Sequence, residues 1–129
     1  MRIELRVSAG ELIDRMTILE LKLLHLPAAV RGDIEAELRL IHCVRERELP
    51  ESPRLAKLAA ELAQVNAELW EIEESLRECE QAAVFDARFV ALARRVYLTN
   101  DRRAALKRSI DAFVGSEVRE HKSHPLPSI

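Results

Sequence analysis

Residues 54–79 read RLAKLAAELAQVNAELWEIEESLREC, and their apolar members Leu55, Leu58, Leu62, Val65, Leu69, Ile72, Leu76 and Cys79 alternate in steps of three and four. Held over more than three heptads, that spacing keeps one stripe of a helix turned toward a partner helix. The segment is read as a coiled-coil-like helix about 40 Å long at 1.5 Å per residue. The fold class follows: an all-α antiparallel bundle of three to four long helices, preceded by a short extended N-terminal arm.

Working upstream, Leu49-Pro50-Glu51-Ser52-Pro53 is a polar, proline-bounded connection of the kind that joins antiparallel helices. Before it, Val30, Ile34, Leu38 and Ile41 form the stripe of a helix that runs to about Glu48, with Gly32 weakening its first turns. Pro27 separates that helix from the first. The first begins at a capping box, Ser8-Ala9-Gly10-Glu11, in which the Ser8 hydroxyl accepts from the Glu11 N–H and the Glu11 carboxylate reaches back to Ser8. Leu12, Met16, Leu19, Leu23 and Leu26 make its stripe. Ile13 and Leu24 widen the stripe and Ile18 and Leu21 add apolar surface elsewhere, so this helix is expected to be contacted on more than one side. In residues 2–7, Ile3, Leu5 and Val7 alternate with Arg2, Glu4 and Arg6, the period-two pattern of an extended arm or a single short strand.

Working downstream, Asp86 caps a fourth helical segment that carries Phe89, Leu92 and Val96, then Leu106, Ile110 and Phe113. Gly115 is a natural stop. Between the two halves the stripe is broken, because Thr99 and Arg103 stand at apolar positions inside the polar run Thr99-Asn100-Asp101-Arg102-Arg103. Two structures fit: the helix ends near Leu98 and restarts with Thr99 or Asn100 as its cap, or it continues and buries a polar layer. The continuous or slightly kinked helix is favoured. Residues 1–115 form one helical domain, and 116–129 a surface or mobile tail.

The composition, 48% hydrophobic and 33% charged with three glycines in 129 residues, suits packed amphipathic helices rather than disorder or a turn-rich sandwich. A net charge of -2 supplies no global attraction to nucleic acid or anionic membrane. No run approaches the roughly 20 apolar residues of a membrane span. Cys43 and Cys79 lack zinc or redox spacing and read as thiols in a reducing compartment, which points to the cytoplasm. No glycine-rich phosphate loop, G-x-S-x-G elbow or H-E-x-x-H pair is present. His121 and His124 have i, i+3 spacing without a third ligand, and neither a metal nor a cofactor is expected.

One polar constellation has the makings of a site. The third helix carries seven Glu, whereas residues 88–108 carry six Arg and Lys107 against Asp101 alone. The plain account is that these charges decorate the edges of a seam between two antiparallel helices. The sharper account is an anion-binding set of Arg94, Tyr97, Thr99, Asn100, Asp101 and Arg103, since guanidinium forks match phosphate and carboxylate and the neutral groups add donors. Asp14, Thr17, Glu20 and Glu73 are the candidate supporting polar groups. On the first helix, Asp14 and Glu20 would form the acidic half of a site whose basic half is Arg94 and Arg103. Trp70 beside the core position Leu69 reads as a large side chain of an interface, and His25 and His42 are assigned no role.

Taken together, Gly10-Glu11-Leu12-Ile13-Asp14-Arg15, Leu69-Trp70 with Ile72-Glu73, Ala93-Arg94, Val96-Tyr97, Thr99-Asn100-Asp101 and Arg103-Ala104 resemble an uncharacterised bacterial family of short helical proteins, a domain of unknown function. The resemblance implies an all-helical fold over nearly the whole chain and a setting alongside glycosyltransferases of surface-polysaccharide assembly. It carries no activity. The opening Ile13-Asp14 followed by leucines is also similar to the all-helical chorismate mutases, but their Ser-x-x-x-Gln has no counterpart, because the only glutamines are Gln64 and Gln81.

The expected function is a helical accessory or interaction protein, a homodimer with a possible protein partner. The alternative is an anion-binding or enzymatic site over residues 97–103 that takes a small phosphate- or carboxylate-bearing molecule. Nucleic acid is not an expected partner.

Overall fold

The computed structural model describes residues 1–119. Four helices account for the architecture: α1 (Ala9–His25), α2 (Arg31–Glu48), α3 (Pro53–Ala82) and α4 (Ala87–Arg119), with a single 3-10 turn at Ala28–Val30. The helices α3 and α4 form a long antiparallel hairpin. Helix α1 packs against both of them, and α2 covers α1 from outside.

Each start is set by local chemistry. Ser8 caps α1 by accepting from the Glu11 N–H at 3.2 Å, Ser52 caps α3 with Pro53 in its first turn, and Asp86 accepts from the Phe89 N–H at 3.1 Å to open α4. Only half of the capping box forms, because the Glu11 carboxylate turns instead to Lys107 of α4. The tight α3–α4 turn closes with Ala83 in the left-handed region, φ 54°, where its N–H bonds to Glu80 and that of Val84 to Cys79. Pro27 ends α1, whose C-terminal carbonyl of Leu23 accepts from the Arg31 guanidinium.

Three expectations are corrected. The arm over residues 1–7 belongs to no strand, for among the described residues there is no strand to pair with it. Gly115 does not end α4, which runs on to Arg119; its φ is negative, so it serves as an ordinary helical residue rather than a left-handed cap. His25 has a partner, since its ring stacks on Trp70 with centroids 4.8 Å apart. Of the segment set apart as a tail, residues 120–129, including His121 and His124, lie outside the described residues.

The interior falls into two clusters with a polar layer between them. One joins Ile13, Met16 and Leu19 of α1 to Ile41 of α2, Leu55, Leu58 and Leu62 of α3 and Ile110 of α4. The other is built from the hairpin alone, with Ile72, Cys79 and Leu92 buried and Leu76, Phe89 and Val96 packed on them. Helix α4 is continuous through Thr99–Arg103, because Thr99 is buried in the seam and Arg103 reaches across to α1. No described helix is long and apolar enough to cross a membrane.

Candidate functional site

The polar layer is organised around Asp14, which is only 3% exposed. It sits one turn into α1, directly after Ile13, so the helix that buries Ile13 in the core also carries the carboxylate inward. Arg103 meets it with a side-on fork, Nε donating to Oδ1 at 2.9 Å and Nη2 donating to Oδ2. The amide of Asn66 on α3 donates to Asp14 Oδ1 at 2.9 Å and to the Thr17 hydroxyl at 2.8 Å. Thr17 in turn donates to the Asp14 carbonyl at 2.8 Å. Lys107, one turn beyond Arg103, approaches Asp14 Oδ2 to 3.9 Å and pairs with Glu11. Three helices are thus joined by one carboxylate.

Burial taken alone pushes the Asp14 carboxyl up and is the largest single influence on it. The hydrogen bonds from Arg103 and Asn66, with the charges of Arg103 and Lys107, together outweigh burial and hold the group below its usual value. The Asp14 carboxylate likewise holds the Arg103 guanidinium above the usual arginine value, against partial burial. An ionised carboxylate only accepts, so the Asn66 amide nitrogen must face it. Its carbonyl oxygen is left as the free polar atom of that side chain.

A second tie lies one turn closer to the start of α1. The Gly10 N–H donates to Asp111 Oδ1 at 2.7 Å, which places a carboxylate at the positive end of the helix. The approach is close enough that a Cβ on Gly10 would lie 2.5 Å from the Lys107 carbonyl oxygen.

The sequence-derived candidates separate into groups. Asp14, Thr17 and Arg103 meet in the layer, and Asn100 Oδ1 lies 3.5 Å from Arg103 Nη1 at its edge. Thr99 is buried nearby, and Glu73 is half-buried on α3 with its charge bearing on Arg103. Arg94, Tyr97, Asp101 and Glu20 are exposed. Arg94 and Arg103 are nine residues apart, which at about 100° per residue puts them on opposite faces of α4. Arg94 bonds to the Tyr97 hydroxyl at 3.3 Å, a contact that also raises its pKa, and joins neither Arg103 nor Asp14. Across the α3–α4 edge, Arg102 pairs with Glu68 at 2.9 Å.

Asn66 and Asp111 are the residues that sequence reasoning misses. Asn66 follows the stripe position Val65, and an asparagine inside an Ala- and Leu-rich helix is a poor helix former. That mismatch is the available signal. Beside the layer lies a cavity of about 190 Å³ lined by Ile18, Leu21, Asn66, Leu69, Trp70, Glu73 and Arg103. A larger open cleft of about 680 Å³ sits at the α2–α3 connection among His42, Arg45, Glu46 and residues 49–53, but no buried polar group converges on it.

The chain belongs to DUF6165, a family of unknown function, whose model matches residues 1–128. No curated protein and no solved structure matches it.

Proposed function

We propose that this chain is a non-enzymatic helical interaction protein that acts as a homodimer joined through its N-terminal arm. The observation that carries the reading is the arm itself: Ile3 and Leu5 are 82% and 84% exposed although they alternate with charges as a half-buried strand does. The pattern is self-complementary. In an antiparallel pair centred on Leu5, Ile3 faces Val7 of the second copy and Glu4 faces its Arg6, so both the apolar and the charged faces match. A two-stranded ribbon alone is marginal, so the dimer is expected to be weak and to dissociate on dilution.

The polar layer supports the non-enzymatic side of this reading. Arg103, the best-placed cation of the constellation, is engaged by a buried carboxylate through two of its three nitrogens, as in a structural ion pair. The second reading, an anion-binding or enzymatic site at residues 97–103, is favoured only by the exposed Arg94–Tyr97 pair. A thermal-shift screen with phosphate- and carboxylate-bearing ligands tests it, stabilisation by any of them being the supporting result. The setting in surface-polysaccharide assembly comes from the motif resemblance and not from the geometry.

The arm is tested by analytical ultracentrifugation of Glu4→Arg, Arg6→Glu and their mixture. Each variant by itself sets like charges opposite one another and is expected to be monomeric. In the mixture, one chain is positive at both positions 4 and 6 and the other is negative at both, so a heterodimer is expected. A parent that is monomeric at all concentrations, or variants that dimerise as the parent does, overturns the reading.

A further inference from the structure

We propose that the cavity between α1, α3 and α4 binds a compact organic cation, a primary ammonium on a short apolar body. This goes beyond the dimer and depends on no part of it. The walls are apolar on one side, where Ile18 and Leu21 of α1 face Leu69 and Trp70 of α3, and polar on the other, where Asn66, Glu73 and Arg103 stand.

The charges decide the class of ligand. Arg103 carries one positive charge, but Asp14 is bound to it by two hydrogen bonds and cancels it at close range. Glu73 makes no ion pair among the described residues, so the charge left over at the cavity is negative. The hydrogen-bonding groups point the same way. Asn66 donates with its nitrogen to Asp14 and Thr17, which leaves its carbonyl oxygen as an acceptor, and Glu73 accepts only. Two acceptors and a net negative charge select a donor cation. An anion would meet the Glu73 carboxylate and a guanidinium whose Nε and Nη2 are already engaged.

The cavity is half open to solvent, so its size limits the part of the ligand held within it. A volume of about 190 Å³ equals about six waters at roughly 30 Å³ each, which suits about five or six heavy atoms. A branched five-carbon amine and the side chain of a lysine both meet that description, so the shared chemistry is an alkylammonium. Affinity for so small a body is expected to be millimolar.

The test follows the indole N–H resonance of Trp70, the only tryptophan, during titration with 3-methylbutylamine and with 3-methylbutanoate, which share a carbon skeleton and carry opposite charges. The amine is expected to give a saturable shift and the acid none. Glu73→Gln is expected to weaken the amine by about tenfold, the scale of losing a charged hydrogen-bond partner, in a protein that remains folded. Ile18→Phe, which fills the cavity without altering charge, should abolish the shift. Nα-acetyl-lysinamide separates the sources: a matching shift assigns the site to a protein lysine, and none to a free amine. Absence of a saturable amine shift, binding of the acid as tight as the amine, or indifference to Glu73→Gln overturns the proposal.

Discussion

Arg103, in the middle of α4, closes a two-pronged contact with Asp14, one turn into α1 and 89 residues earlier in the chain. The Asp14 side chain is 4% exposed and that of Arg103 28%. The pair therefore lies where desolvation is large for the carboxylate and a missing partner is felt in full. It sits between two apolar clusters, where it holds α1 to the α3–α4 hairpin in one register.

Removal of either partner is expected to destabilise strongly. Arg103→Ala leaves Asp14 buried with only the Asn66 amide bonded to it and Lys107 3.9 Å away, and Asp14→Ala strands the guanidinium; each is expected to cost about 3 to 5 kcal/mol in urea unfolding. Replacing both, as in Asp14→Ala with Arg103→Ala, is expected to cost less than the sum of the two single changes. A double-mutant cycle that shows strict additivity would refute the coupling.

The pair also sets an acid limb of stability. Asp14 has a folded-state pKa below its ordinary value of 3.8, so as pH falls through the ordinary value the unfolded chain takes up the proton first. The stability due to Asp14 is complete above that value and is lost as pH falls through the folded-state pKa. Unfolding free energy measured between neutral pH and pH 2 is expected to fall in this window, and to fall less steeply in Asp14→Asn.

Two glycines are expected to respond in opposite directions to alanine. Gly10→Ala forces a Cβ against the Lys107 carbonyl oxygen at 2.5 Å and disturbs the bond to Asp111, so a loss of about 1 to 3 kcal/mol is expected. Gly115 lies inside α4, and nothing stands within 4 Å of where a methyl group would project. There alanine should gain about 0.5 to 1 kcal/mol from helix propensity alone. Thermal unfolding of both variants checks the sign.

Ala83 holds a left-handed conformation at the end of α3, φ 54°, where glycine avoids the Cβ clash. Ala83→Gly is expected to stabilise the hairpin by about 0.5 to 1 kcal/mol, part of the relief being offset by the greater freedom of glycine in the unfolded chain. A lower unfolding midpoint for the variant would contradict this.

Much of the fold is legible because it is written in local periodicity. The stripe from Leu55 to Cys79, the caps Ser8 and Asp86, and the stop at Pro27 each act within a turn or two of chain, and the structure follows them. The reading of Gly115 as a stop fails because a glycine marks the end of a helix only where the chain takes a positive φ, and neighbouring packing decides that. The candidate site is only partly legible. Asp14, Thr17 and Arg103 stand out as polar residues at apolar positions, and they do meet. Arg94 and Tyr97 belong to the same run by sequence but turn to the opposite face of α4.

What the sequence determined by itself is the set of helices, where most of them start, the polar interruption at Thr99 and Arg103, and the period-two arm, since all of these depend on the spacing of side chains along one backbone. What only the tertiary structure decided is which polar groups share a partner. Asp14 finds Arg103 and Asn66 rather than Arg94, Glu11 finds Lys107 rather than Ser8, and His25 finds Trp70, because α1 lies across the hairpin in one register. That register depends on the close approach at Gly10 and on burial from three helices at once. Burial and partner choice are properties of that three-body packing, and no single helical stripe contains them.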